Sequence, residues 1–92
     1  MIRKVRIRVY GRVQGVGFRW SVKQVADSIG IYGCVRNEYD GSVSIEAVSS
    51  VQNIKLFINT IQTSTNQWAR VDSVEVYDDD EIRERSTFAI VH

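Results

Sequence analysis

The chain has 92 residues, of which 43% are hydrophobic and 25% are charged, with a formal net charge of +1. This length predicts one domain over residues 1–92 and leaves no room for a second core. No apolar run approaches the roughly 18 residues of a membrane span, and a single cysteine excludes an internal disulfide. We therefore expect a cytoplasmic protein without a membrane partner, and one Cys and one His give little basis for a metal site.

The first third of the chain predicts a strand, a helix and a second strand. Apolar residues alternate with basic ones at Val5, Ile7 and Val9, which indicates a half-buried strand. Apolar residues then recur at helical spacing, at Val22, Val25, Ala26 and Ile29, which predicts a helix. Gly30 is placed to end this helix, and residues 31–37 predict the second strand.

The remainder of the chain predicts a hairpin, a second helix and two more strands. Residues 39–41 form a turn before a third strand, with Val43, Ile45 and Ala47 alternating. Ser49 offers a cap for a second helix, whose apolar stripe is Val51, Ile54, Ile58 and Ile61, with Phe57 beside it. Val74 and Val76 predict a fourth strand, residues 78–81 a solvated loop without structure, and residues 88–92 a short last strand.

This order, βαββαβ plus a short C-terminal strand, predicts the ferredoxin-like α+β sandwich, a mainly antiparallel sheet with two helices on one face. A helix joins the first two strands, so these strands are expected to run parallel and to end at the same edge of the sheet. Arg19 follows the first strand and Asn37 ends the second. The two side chains are therefore expected to face one pocket.

The run GRVQGVGFR at residues 11–19 joins the first strand to the first helix. Three glycines permit a tight loop whose N–H groups turn inward around an anion, and the helix N-terminus adds partial positive charge. Residues 1–36 hold eight Lys/Arg and one acid, whereas residues 37–92 hold four Lys/Arg and ten acids. The run matches neither the Walker nor the dinucleotide fingerprint. From these residues alone, a plain strand-to-helix turn remains open.

Two segments resemble the signatures of the acylphosphatase family. Residues 9–19, VYGRVQGVGFR, resemble its first signature, and residues 33–43, GCVRNEYDGSV, resemble the second. The resemblance runs from about Val5 to residues 88–90, nearly the whole chain. The chain departs from the family pattern at Val22, Cys34 and Ser49.

The resemblance implies hydrolysis of the carboxyl–phosphate bond of small acyl phosphates to a carboxylate and inorganic phosphate. Family members use water directly, without metal, cofactor or covalent intermediate. By motif position, Arg19 binds the phosphate and Asn37 positions the nucleophilic water. The phosphate-binding loop then comprises Gln14, Gly15, Val16, Gly17, Phe18 and Arg19.

The residue types in the loop also suit phosphoryl transfer. Backbone N–H groups and one guanidinium can surround the phosphoryl oxygens, and the Asn37 amide can orient a water without acting as a base. No His, Asp, Glu or Cys lies in the loop. The absence of a general acid there favours a substrate whose leaving group is a carboxylate, since a carboxylate departs without a proton.

Three other functions are relevant to such a sequence. A non-catalytic phosphate-binding regulatory module would bind the anion without turnover. A nucleic-acid partner is not expected, because the third strand offers Ser42, Ser44 and Glu46 rather than aromatic side chains opposite its apolar face. Similar domains also begin the large hydrogenase-maturation carbamoyltransferases, whose Cys-rich zinc motifs are lacking here. A stand-alone, monomeric enzyme is expected.

Several conspicuous side chains are expected to serve packing rather than chemistry. Cys34 is interpreted as a small buried hydrophobe, and Phe18 as an anchor of the loop in the core. Trp20 and Trp68 are likewise predicted to be packing residues. His92, at the end of the sequence, is not expected to take part in the site.

Overall fold

A computed structural model of the protein describes residues 1–63 and 66–92. Its elements are β1 (Ile2–Arg12), α1 (Phe18–Ile29), β2 (Tyr32–Asn37), β3 (Val43–Ser50), α2 (Val51–Thr63), β4 (Arg70–Asp78) and β5 (Phe88–Ile90). This order confirms the predicted ferredoxin-like α+β architecture. Over the described residues, neither helix is long and apolar enough to cross a membrane.

The five strands form one sheet in the order β4-β1-β3-β2-β5. Strand β1 pairs antiparallel with β3 and β4, and β2 pairs antiparallel with β3. Since β1 and β2 are both antiparallel to β3, they run in the same direction with β3 between them. The predicted parallel orientation of these two strands is therefore confirmed, and β5 adds to β2 in parallel.

The core lies between one face of the sheet and the two helices. Alternate residues of the central strands point into it, as period-two patterning requires, and the helices contribute residues at spacings of three and four. Phe57 of α2 packs edge-to-face against Phe88 of β5, with ring centroids 6.1 Å apart. Phe18 is buried, as predicted, and joins the core with Val5, Ile7, Val9, Val22, Ala26, Ile45, Ile54 and Ile61.

The C-terminus of α1 and the N-terminus of α2 are each closed by short-range hydrogen bonds. Gly30 ends α1 in the left-handed conformation (φ 96°), as predicted, and its N–H donates to the carbonyl of Ala26. The predicted cap at Ser49 is wrong. Ser50 directly precedes α2, and its hydroxyl accepts from the Asn53 N–H at 3.1 Å, which is the geometry of an N-cap. The Ser49 hydroxyl instead donates to the Gly30 carbonyl at 2.9 Å and links β3 to the end of α1.

The two tryptophans do not pack in the core, so their predicted packing role is wrong. Trp20 is 63% exposed and Trp68 is 67% exposed. Trp20 lies in the first turn of α1, two positions from the buried Phe18 and Val22, and therefore projects to the other side of the helix. Trp68 follows α2 in the connection to β4. Cys34, by contrast, is 2% exposed and buried as predicted.

The face of the sheet opposite the helices carries ion pairs. Arg6 of β1 donates to Glu46 of β3 at 2.9 Å and to Asp79 at 2.6 Å. Residues 78–81 are therefore not the structureless loop that their charge predicted. Asp78 ends β4, and Asp79 also accepts from the Glu81 N–H at 3.0 Å. A run of acids here neutralises the basic face of β1.

The Asp79 contacts predict a dependence of stability on acid. The hydrogen bond from Arg6, and then that from the Glu81 N–H, hold the pKa of Asp79 below its ordinary value. A carboxylate with a lowered folded-state pKa stabilises the protein above its unfolded pKa, near 3.9, and loses that contribution as the pH falls through the folded pKa. Asp79→Asn should therefore flatten the fall in the free energy of unfolding below about pH 4, measured by urea unfolding. Asp80→Asn, at an exposed neighbour, is the control, and equal acid slopes in both variants would contradict the prediction.

A substitution at Gly33 of β2 can test how closely β2 and β3 approach each other. Its φ is 146°, and a Cβ there would lie 1.8 Å from the carbonyl oxygen of Glu46. We expect Gly33→Ala to lower the free energy of unfolding by about 2–4 kcal/mol, because strain and overlap act together. Gly41→Ala shares the positive φ but meets nothing within 4 Å, so it should cost only about 1–2 kcal/mol. Equal losses of unfolding free energy in the two variants, measured by urea unfolding, would contradict the close approach of β2 and β3.

Candidate functional site

The strand register brings three chain segments to one edge of the sheet. Val43 of β3 pairs with Val9 of β1 on one side and with Asn37 of β2 on the other. Val9 therefore lies level with Asn37, the last residue of β2, and β1 continues to Arg12 on the same side of the sheet. Strand β5 runs parallel to β2, with Ile90 paired to Val35, so its end reaches the same edge. Residues far apart in sequence can thus surround one space.

The loop between β1 and α1 turns through two glycines in the left-handed region. Gly15 has φ 73° and Gly17 has φ 75°. A Cβ at either position would meet nothing within 4 Å, so it is the backbone conformation rather than crowding that favours glycine. Gly17 is the N-cap of α1 and has no side-chain cap. The N-terminus of α1 therefore opens toward the space above the loop.

Backbone donors collect at the first turn of α1. The first bond within the helix runs from the Ser21 N–H to the Gly17 carbonyl, at 3.0 Å. The N–H groups of residues 18–20 precede it and have no acceptor within the helix. The first turn also carries no acidic residue. The partial positive charge of the helix N-terminus is therefore available to an anion.

A cavity of about 190 Å³ lies against this helix end. Its wall includes Asn37 of β2 and Ile90 of β5. The loop and α1 contribute the rest of the wall, namely Val13, Gly15, Gly17, Phe18, Arg19 and Trp20. Arg19 is the one charged side chain in this wall among the described residues. The structure thus brings Arg19 and Asn37 to one cavity, as the strand order predicted.

Arg19 is held by the segment after β5. Its Nη1 donates to the Val91 carbonyl at 3.4 Å and lies 3.2 Å from Nδ1 of His92. Both contacts use the same terminal nitrogen, Nη1. No described residue accepts a hydrogen bond from Nε or Nη2 of Arg19. A planar guanidinium can bind two oxygens of an anion side by side. His92, expected to be uninvolved, therefore contacts Arg19.

Asn37 borders two cavities. Besides the first, it lines a neighbouring cavity of about 400 Å³ together with Arg36, Glu38, Tyr39 and His92. No described residue forms a hydrogen bond with the Asn37 side chain. A free amide offers both a donor and an acceptor, so Asn37 can hold a water or a ligand oxygen where the two cavities meet.

Two predicted loop residues lie outside the cavity wall, and one of them anchors the loop. The Gln14 amide nitrogen donates to the carbonyls of Glu38 and Ser42, at 2.8 and 2.9 Å. These bonds join the loop to the turn between β2 and β3, directly beyond Asn37. The Val16 side chain packs against the core. The side chains of Gln14 and Val16 therefore stabilise the loop without lining the cavity.

The sequence analysis missed Asn66 as a second anchor. Its amide nitrogen donates to the Val16 carbonyl at 3.2 Å and to the Ser21 hydroxyl at 2.8 Å. Its amide oxygen accepts from the N–H groups of Trp68 and Ala69. One side chain thus joins the loop, α1 and the approach to β4. In the sequence, Asn66 is one polar residue among several, so no pattern there indicates its role.

The fold and the site together define a class of protein. It is a ferredoxin-like α+β domain in which a glycine loop, a helix N-terminus, one arginine and one asparagine line a small cavity. Among residues 1–63 and 66–92, no three His, Cys, Asp or Glu side chains cluster as a metal site would require. The donors of the site are therefore N–H groups, a guanidinium and an amide.

Comparisons with known proteins give this class its family. The family model for acylphosphatase matches residues 5–90. An acylphosphatase of Enterococcus faecalis is 44% identical over 96% of this chain and 97% of its own. The crystal structure of acylphosphatase from Bacillus subtilis superposes with a TM-score of 0.92, at 33% identity and over all of both chains. HypF of T. kodakarensis superposes with a TM-score of 0.86 at 27% identity, over all of this chain but 12% of that one.

The chain belongs to the acylphosphatase family and is a hydrolase of that family. The family resemblance inferred from the sequence is thereby confirmed over residues 5–90.

The Gln14 contacts predict that its amide stabilises the site. Gln14→Ala should lower the free energy of unfolding by about 1–3 kcal/mol, because two carbonyls lose their donor. It should also weaken the binding of inorganic phosphate, measured by calorimetry, because the loop is no longer tied to the turn after Asn37. Gln52→Ala, at an exposed position of α2, is the control. An unchanged phosphate affinity in Gln14→Ala would show that the loop keeps its shape without these bonds.

Proposed function

We propose that the protein hydrolyses small acyl phosphates to a carboxylate and inorganic phosphate by direct attack of water on phosphorus. In this proposal Arg19 and the N–H groups of residues 15–19 bind the phosphoryl group, and Asn37 orients the water. One observation carries the proposal: Arg19 and Asn37, 18 positions apart, line one cavity at the N-terminus of α1. Family membership supports the choice of reaction.

The proposed site suits the charge distribution of phosphoryl transfer. The transition state is loose, with negative charge spread over three equatorial oxygens and with the entering and leaving oxygens in line. Catalysis then depends on preorganised donors more than on covalent chemistry. The N–H groups of residues 15–19 and the Arg19 guanidinium supply such donors in this proposal. The wall also contains apolar residues, namely Val13, Phe18 and Ile90.

The leaving group accounts for the lack of an acid in the cavity wall. Among the described residues, the wall contains no Asp, Glu, His or Cys. When water attacks, its oxygen bonds to phosphorus, the bond from phosphorus to the acyl oxygen breaks, and the carboxylate leaves with the electron pair. Both protons of the water remain with the phosphate product. An alkoxide leaving group would need a proton donor, so an anhydride substrate fits this wall better than a phosphate ester.

The same proposal includes the cellular compartment, the oligomeric state and the cofactor requirement of the enzyme. A free, buried Cys34 is compatible with a reducing cytoplasm. The described wall of the cavity comes from one chain, so a monomer suffices to form the site. We further propose that neither metal nor cofactor takes part, since amide and guanidinium donors can bind the phosphoryl group.

Removing either polar side chain should abolish most of the turnover. For Arg19→Ala and for Asn37→Ala, we expect kcat to fall about 10²–10³-fold, as for the loss of one oxyanion donor. Phosphate release from benzoyl phosphate in the presence of EDTA measures this, with p-nitrophenyl phosphate as the ester comparison. Arg83→Ala and Asn59→Ala, at exposed positions outside the cavity, are matched controls.

Each outcome of this assay has a distinct meaning. Near-normal turnover in a folded Arg19→Ala or Asn37→Ala variant would refute the role of that residue. Dependence on a metal ion that EDTA removes would refute the metal-free reaction. Phosphate binding by the wild-type protein without turnover of any acyl phosphate would favour a regulatory binding module instead.

A further inference from the structure

The cavity carries a tryptophan that the phosphoryl chemistry does not use. Trp20 follows Arg19 directly and lines the same cavity, yet it is 63% exposed. Tryptophan is among the more deeply buried residue types on average, because its large apolar surface favours removal from water. An indole left open beside a cavity can be covered by a ligand. Trp20 therefore offers apolar contact area at the rim of a site whose other exposed groups are polar.

The wall divides into a polar part and an apolar part. Arg19, Asn37 and the N–H groups of the α1 first turn are the polar part, and an anion would occupy it. Trp20 and Ile90 belong to the apolar part of the same wall. A substrate that places its phosphoryl group on the polar part must direct its acyl group elsewhere. The apolar part can receive that group without leaving a polar atom buried and unpaired.

We propose that Trp20 forms a subsite for the acyl group and that it selects acyl phosphates with apolar, above all aromatic, acyl groups over acetyl phosphate. An aromatic ring can stack offset or edge-on against the indole. This inference rests on the proposed function, since it assumes that the phosphoryl group lies against Arg19. Trp20 is a specificity-determining residue here and takes no part in bond making.

The neighbouring cavity is the competing position for the acyl group. It shares Asn37 with the first cavity but is lined by Arg36, Glu38, Tyr39 and His92. Charged and polar side chains there would suit a polar acyl group. Trp20 is favoured because it shares a cavity with Arg19 and the start of α1, where the phosphoryl group is bound in the proposed reaction.

The test compares two substrates across matched variants. The ratio of kcat/KM for benzoyl phosphate to that for acetyl phosphate is measured in the wild type, Trp20→Ala, Trp20→Phe and Trp68→Ala. We expect Trp20→Ala to lower this ratio about 10-fold, within the range that apolar pockets provide, and Trp20→Phe to restore most of it. Trp68, equally exposed and outside the cavity wall, should leave the ratio unchanged.

A further variant separates the two cavities. Tyr39→Ala alters the neighbouring cavity alone, so it should leave the ratio near that of the wild type. An unchanged ratio in Trp20→Ala, with turnover still lost in Arg19→Ala, would overturn the acyl subsite and leave the proposed function intact. A ratio that falls in Tyr39→Ala instead would assign the acyl group to the neighbouring cavity. Failure of the wild type to hydrolyse either substrate would refute the proposed function itself.

Discussion

The pairing of β3 with two strands is the constraint on which the site depends. Because Val43 pairs with both Val9 and Asn37, Val9 of β1 stands level with Asn37, the last residue of β2, on the other side of β3. Adjacent strands lie about 4.8 Å apart, so these two residues are separated by roughly twice that distance. This gap is spanned by the β1–α1 loop and the first turn of α1. A one-residue slip of β2 against β3 would turn Asn37 to the opposite face of the sheet. The register of the hairpin thus determines that Asn37 lines the cavity.

The loop reaches its position through amide side chains rather than through packing alone. Gln14 attaches it to the carbonyls of the β2–β3 turn, and Asn66 attaches it to the segment before β4. Backbone N–H groups that point into a cavity cannot bond to one another, so the loop must obtain its stability from other contacts. Uncharged amides can do this without adding a charge beside the cavity. Both amides donate to carbonyls, so neither occupies an N–H group of the loop.

The sequence predicts the elements well because their signals are local. Period-two runs locate the strands, Gly30 marks the end of α1, and the helical crossover makes β1 and β2 parallel, which is enough to bring Arg19 and Asn37 to one edge. The role of Gln14 is not visible in this way, because its acceptors are carbonyls whose position depends on the long-range pairing of β2 with β3. The contact between Arg19 and His92 likewise depends on β5 adding to β2. The exposure of Trp20 could have been inferred, since it lies off the helical face that carries Val22 and Ala26.

Charge is divided between the two faces of the sheet in a way that favours anion binding at the cavity. The basic side chains of β1 that face away from the helices, among them Arg6 and Arg8, are paired with carboxylates. Arg19, on the other side of the sheet, contacts no carboxylate among the described residues. Its positive charge is therefore not cancelled locally, and it adds to the partial charge of the α1 N-terminus. A cavity wall with one unpaired arginine and no acid among its described residues favours an anionic ligand. Carboxylates of the acidic half of the chain pair instead with Arg3, Arg6 and Arg8, which lie outside this wall.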